Sequence, residues 1–97
     1  MILETAILHI KPGTMNDFER DFRKASPIIA QTPGYLSHEL HKCVEAADKY
    51  LLLVRWDSIT DHLVGFRRSD GYREWKELLH PYYDPMPTVE HYVNIKL

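Results

Sequence analysis

An α+β fold of β-α-β-β-α-β order follows from three features of the sequence. Strand-type patterns open and close the chain. A second pair of strand-type segments flanks a short polar turn in the middle, which reads as a hairpin. Between these lie segments with apolar residues at three- and four-residue steps, which read as helices with one buried stripe. This is the split βαβ, ferredoxin-like plan: a four-stranded antiparallel sheet with helices on one face.

Residues 2–11 form the first strand, with Ile2, Leu3, Ala6, Ile7, Leu8 and Ile10 broken by Glu4, Thr5 and His9. Apolar groups fall on both faces, so cover is expected on both sides. Pro12-Gly13 ends it. Thr14 with Asp17 has capping-box spacing. Met15, Phe18, Phe22, Ala25 and Ile29 then make one stripe. Pro27 falls inside it and is expected to kink or restart the helix, because it removes an amide donor. After Pro33-Gly34, residues 35–44 alternate, placing Leu36, His38, Leu40 and Lys42 opposite Tyr35, Ser37, Glu39, His41 and Cys43. Residues 45–48 turn, and 49–57 are a β-rich apolar run.

Ser58 with Asp61 repeats the capping-box spacing ahead of a short stripe of Ile59, His62, Leu63 and Phe66. Ser69-Asp70-Gly71 breaks and recaps the helix. Tyr72, Trp75, Leu78 and Leu79 form the next stripe. Pro81, Pro85 and Pro87 exclude regular helix over 80–87, and 88–96 alternate as the last strand. The run Leu51-Leu52-Leu53-Val54, followed by Trp56, does not suit a sheet with one wet face. A second copy of the chain, sheet against sheet, is the simplest cover.

The 97 residues carry 12 Lys+Arg against 14 Asp+Glu, a net charge of −2. That length makes residues 1–97 a single domain. The balance gives no basic footprint for nucleic acid. One cysteine, Cys43, excludes a disulfide scaffold and a four-cysteine zinc site. No apolar run has transmembrane length, and the N-terminus lacks the pattern of a secretory signal, so a cytoplasmic protein is expected.

Six histidines are many for this length. His38 and His41 are three apart on a strand and point to opposite faces, so one ion does not readily take both. No HExxH or zinc-spaced Cys/His cluster occurs, and no metal site is expected. GxSxG and Gly-rich phosphate loops are absent too, which argues against common hydrolase, nucleotide and dehydrogenase classes. What remains is polar and aromatic. His38, His62 and His91 are candidate bases, and Phe66, Trp75, Tyr83 and His80 candidate substrate-lining residues. Together they suit a cavity between sheet and helices for a flat, partly phenolic ligand. Neutral imidazole is a competent acceptor for a phenol proton near neutral pH. For each histidine the plainer reading is a ring packed in the core with one hydrogen bond. Tyr82 and Tyr83, beside the prolines, are candidates for a lid or a dimer-edge clasp, or simply anchor the loop.

Three stretches together resemble the antibiotic biosynthesis monooxygenase domain family. They are Gly34-Tyr35-Leu36-Ser37-His38-Glu39-Leu40-His41, then Tyr50 through Ser58, then His62 with Gly65-Phe66-Arg67, Ser69, Tyr72 and Trp75. The final Val89-Glu90-His91-Tyr92 extends the likeness. The resemblance implies a ferredoxin-like protomer and a homodimeric barrel. It also implies chemistry among cofactor-independent oxygenases of aromatic rings, quinol monooxygenases and haem-degrading enzymes. The haem-degrading branch needs an asparagine, a tryptophan and a histidine ligand where this chain has Ala6, Phe66 and Lys76, although His80 stands one helical turn further on. The expectation is therefore a monooxygenase that takes molecular oxygen and a small aromatic or quinol compound, with no protein-held cofactor. The alternatives are a ligand-binding or stress-associated barrel without catalysis, and a haem-binding protein.

Overall fold

The computed structural model describes residues 1–97. In chain order the elements are β1 (Ile2–His9), α1 (Met15–Ala30), β2 (Tyr35–Lys42), β3 (Lys49–Trp56), a π-helical segment (Asp61–Phe66), α2 (Asp70–Leu79), a 3-10 turn (His80–Tyr82) and β4 (Val89–Tyr92). The four strands make one antiparallel sheet in the order β2-β3-β1-β4, the expected ferredoxin-like arrangement.

Strand alternation sends Glu4, Ala6 and Leu8 of β1 and Tyr50, Leu52, Val54 and Trp56 of β3 to the same side. There they are buried under Phe18, Phe22, Ala25 and Ile29 of α1 and Trp75 and Leu79 of α2. Full burial of each large apolar side chain contributes about 1.5–3 kcal/mol relative to exposure. The leucine run of β3 is thereby split, with Leu52 and Val54 inward and Leu51 and Leu53 outward. On the outer side Ile7, Leu51 and Tyr92 are exposed, at 46%, 37% and 49%. The chain covers one face of its sheet with helices and leaves the other bare.

Four local expectations are corrected. Pro27 does not interrupt α1, which is continuous from Met15 to Ala30. Pro27 lies on the exposed face, so the one carbonyl it deprives of a partner, that of exposed Arg23, stays in water. Thr14 does not cap through its side chain; its hydroxyl donates back to the Lys11 carbonyl at 2.7 Å. A bulge between Tyr35 and Ser37 turns Tyr35 to the helix side with His38 and Leu40, and leaves Leu36 outside. Finally, β4 ends at Tyr92 rather than at residue 96. Tyr92 pairs with Leu3, so in antiparallel register the neighbour runs out within two residues. Val93, Ile95 and Leu97 are exposed accordingly.

The π-helical segment docks on the start of β2 through Gly34. That glycine has φ +87°, and a Cβ there would lie 2.2 Å from Asp61 Cγ. Asp61 is not free to leave, because its backbone N–H and carboxylate both bond the Ser58 hydroxyl, at 3.3 and 3.0 Å. A Gly34→Ala variant is expected to lose at least about 1–2 kcal/mol from backbone strain alone, before the clash is counted. Urea denaturation monitored by tryptophan fluorescence checks this; an unchanged midpoint would refute the docking role.

Candidate functional site

A cavity of about 60 Å³ lies between the sheet and α2. Its walls are mainly apolar, with Ala6, Leu52, Phe66, Trp75 and Tyr83 among them, and Glu4, His62, Arg67, Tyr72 and His80 supply polar edges. The π-helical segment sets much of this. Its i→i+5 bond from Arg67 N–H to the His62 carbonyl, 3.2 Å, widens the turn, and His62 and Phe66 come to lie buried on one face. Phe66 meets Trp75 edge-on at 5.7 Å and Tyr72 at 5.3 Å between ring centroids. These edge-to-face contacts fix the aromatic wall. Ser69 then starts α2 by accepting from the Tyr72 N–H at 3.1 Å, which orients Tyr72 and, one turn on, Trp75.

One end of the cavity is polar and sealed. Glu4 and His62 are the only buried charged or polar residues of the chain, 5% and 3% exposed. The Trp56 indole donates to Glu4 Oε1 at 2.9 Å. His62 Nε2 stands 3.4 Å from that same oxygen, and His62 Nδ1 is 2.8 Å from His91 Nε2. His62 also stacks on Trp56, with ring centroids 5.3 Å apart. Glu4, Trp56, His62 and His91 come from β1, β3, the π-helical segment and β4, so the cluster ties four elements together. Burial raises the Glu4 carboxyl above its ordinary value, against the lowering effect of the Trp56 bond and the Arg67 charge. Burial, with the Arg67 charge and His91 adding to it, pushes His62 down to about 4. His91, half-buried, is lowered by burial and then by Arg67. At neutral pH both imidazoles are therefore uncharged, and the contact of His62 with Glu4 is not an ion pair. With Glu4 ionised, the consistent arrangement has His91 Nε2–H donating to His62 Nδ1, and His62 Nε2–H directed at Glu4.

The remaining residues singled out in the sequence fall in different places. Phe66, Trp75, Tyr83 and His80 line the cavity. The His80 ring lies 5.4 Å from that of Tyr83, and burial, then Lys76, lowers its pKa. Burial raises the Tyr83 phenol. His91 reaches the cavity only through His62. His38 lies elsewhere, with its Nε2 2.9 Å from Ser26 Oγ and its Nδ1 bonded to the Tyr35 hydroxyl, over an open groove beside α1. Of the three positions relevant to haem degradation, Ala6 and Phe66 line the cavity, whereas Lys76 is exposed on α2. No three His, Cys, Asp or Glu side chains are placed to share a metal ion. Glu4, Arg67 and Tyr72 were not anticipated as site residues. For Glu4 the signal was present: it has the same parity as Ala6, Leu8 and Ile10, which puts a carboxylate on the buried face.

A one-sided ferredoxin-like sheet with an aromatic cavity and a buried carboxylate–imidazole end defines an α+β protein of the ferredoxin-like class. The chain belongs to the antibiotic biosynthesis monooxygenase family, whose model matches residues 1–78. It is 53% identical over 95 residues to the uncharacterised protein YczJ of Bacillus subtilis (strain 168), covering 98% of this chain and 100% of that one. Among crystal structures, a Bordetella bronchiseptica protein assigned to antibiotic biosynthesis monooxygenases superposes with a TM-score of 0.93 at 32% identity, over 98% of this chain and 97% of that one. SnoaB of Streptomyces nogalater, a cofactor-independent oxygenase, gives 0.85 over 99% and 94% of the two chains, at 14% identity, a likeness of fold. No helix of the chain is long and apolar enough to cross a membrane.

The His62 shift has a measurable sign. The unfolded imidazole titrates near 6.5 and the folded one near 4. Between these values the unfolded chain binds more protons, so stability falls as pH is lowered through that window, by up to about 3 kcal/mol. Glu4, raised in the fold, acts in the opposite sense, losing stability as pH rises through its folded pKa. The difference between wild type and His62→Asn isolates the imidazole. Thermal melts from pH 7 to 4 should show a steeper acid loss in wild type; parallel curves would contradict it.

Proposed function

We propose that the chain is a monooxygenase of small electron-rich aromatic compounds, phenols or quinols, using molecular oxygen and no protein-held cofactor, with residues 1–97 acting as one domain. The observation that carries this reading is the apolar aromatic cavity bordered at one end by Glu4 and by His62, with His91 behind His62, in a chain of this family. The naming of SnoaB as a cofactor-independent oxygenase lends it support.

The chemistry suits what the side chains offer. A phenol with an activated CH₂ group supplies its own electrons: Ar–CH₂–Ar + O₂ gives Ar–C(=O)–Ar + H₂O. Loss of a proton makes the ring a one-electron donor to O₂. Oxygen then bonds to the carbon, and the O–O bond breaks as the second C–H proton leaves and water forms. The protein has to bind the ring, remove a proton and keep bulk water out. Phe66, Trp75, Tyr83 and His80 form the walls. The uncharged imidazoles of His62 and His91 with Glu4 form the proton-handling end. Arg67 makes no ion pair and lies at the cavity edge, where its charge favours an anionic aromatic ligand. His38 is too far into another part of the fold to take part.

The cavity of about 60 Å³ is smaller than the ~150 Å³ that holds a single benzene ring. Ligand entry therefore requires the wall to move outward. Tyr83 is held by a bridge to Ile10 and Asp84 by a bond from its N–H to the His9 carbonyl at 2.9 Å, whereas residues 85–88, which contribute Pro87 to the wall, have no regular structure and are the part proposed to yield. A homodimer formed through the outer sheet face covers Ile7, Leu51 and Tyr92.

An oxygen electrode with hydroxyanthrones and hydroquinones, in chelator-treated buffer, tests the activity. Oxygen consumption is expected, with one atom of ¹⁸O₂ in the product carbonyl, and His62→Ala should lower kcat by about 10²-fold or more. Ligand-induced stabilisation without oxygen uptake would instead mark a binding protein, and a Soret band on haem titration a haem protein. Sedimentation should show a dimer that Leu51→Asp splits into monomers; a wild-type monomer would remove the dimer from this proposal.

A further inference from the structure

We infer that Glu4 is the catalytic base, taking the substrate's proton on its cavity-facing oxygen, and that His62 is a positioning residue behind it. This rests on the monooxygenase reading and deepens it, by assigning the proton step to an atom.

Accounting for lone pairs at the polar end leads to this assignment. His62 was one of the three bases expected from the sequence, yet its Nδ1 is bonded to His91 at 2.8 Å and its Nε2, 3.4 Å from Glu4 Oε1, carries the hydrogen in the arrangement given above. With Nδ1 accepting from His91 and Nε2 protonated, neither nitrogen has a lone pair free for a substrate proton. Glu4 differs. Its Oε1 accepts from Trp56 and faces His62, whereas Oε2 has no protein partner. No fully buried polar atom is left unpaired in the chain. Oε2 therefore keeps some accessible surface, and the cavity is the space that Glu4 lines. A carboxylate 5% exposed, with one oxygen held and the other unpartnered at the wall of an aromatic cavity, has the form of a general base.

A structural role does not require the charge. Glutamine has the same length, and its carbonyl would accept the Trp56 N–H equally well, without the cost of burying an anion. The charged groups around Glu4 are few. Arg67 at the cavity edge favours its anion, Tyr83 faces it as a phenol, and His62 and His91 are neutral above the acid range. Burial nevertheless lifts the carboxyl toward the pH at which it works.

The step balances as follows. The activated C–H or O–H bond of the substrate breaks, and an O–H bond forms at Glu4 Oε2, leaving the electron pair on the substrate. After oxygen has bonded to carbon, the same proton passes to the departing oxygen, which leaves in the water molecule, and Glu4 is again a carboxylate. Protonation of Glu4 removes the reason for His62 to present Nε2–H. The tautomer of the His62–His91 pair therefore reports the state of Glu4.

Proton abstraction is measurable without oxygen. Under argon in D₂O, the wild-type protein is expected to exchange the CH₂ hydrogens of a hydroxyanthrone. Glu4→Gln should fold with an unchanged or higher Tm and exchange at least 100-fold more slowly, and Glu4→Asp should recover part of the rate. The pH profile of exchange should lose its acid limb in Glu4→Gln, and ¹⁵N shifts should show His62 changing tautomer. Equal exchange in wild type and Glu4→Gln overturns the proposal, as does absence of exchange in wild type. Exchange that depends on Glu4 but is not followed by oxygen consumption in air upholds the base and overturns the oxygenase reading instead. Should Glu4→Gln fail to fold, Glu4→Asp decides: a wild-type rate with the carboxylate withdrawn by one methylene overturns the assignment, and a reduced rate with retained ligand binding upholds it.

Discussion

A carboxylate withdrawn from water must be held by something, and in this chain the holding of Glu4 organises the rest. The Trp56 indole N–H takes one lone pair and His62 faces the same oxygen. The His62 ring has to stack on Trp56 to do so, and His91 has to reach across from β4 to satisfy its other nitrogen. Burial of an ion costs several kcal/mol unless partners compensate. Here compensation is partial, since only one oxygen is engaged. Such a partly satisfied group raises the cost of the folded state.

The fold was legible because each strand and helix shows its period in the sequence. The stripe of Phe18, Phe22, Ala25 and Ile29 is buried as the three- and four-residue spacing requires. The features that were not legible depend on neighbours. Whether β4 continues past Tyr92 is decided by where β1 begins, not by the alternation of Val93 and Ile95. Which way Tyr35 and Leu36 face is decided by a bulge against β3. Pro27 is tolerated because of where it falls around the helix, a fact about the packed face.

The candidate site was half legible for the same reason. Phe66, Trp75, Tyr83 and His80 could be grouped because each sits on an apolar stripe or beside one. The histidines carry chemistry in their residue type, so three were singled out, yet type alone does not separate His38, which bonds Ser26 and Tyr35 over another groove, from His62. Glu4 was read as an interruption of an apolar strand. Its parity with Ala6 and Leu8 was visible, but a charged residue on a buried face gains meaning only when Trp56, fifty-two positions away, proves to be its partner.

The two faces of the sheet are not independent. Pro87 borders the cavity on the helix side and also the groove on the outer face, where Ile7, Leu51, Leu53, Met86 and Tyr92 gather. The segment that must yield for a ring to enter is thus the segment that a body seated on the outer face would grip. Covering the outer face would therefore stiffen one wall of the cavity, and widening the cavity would press on whatever covers that face. For a chain that binds a ring here and pairs through its outer face, as proposed, the two events meet at one segment, and any free energy one spends on that segment is felt by the other.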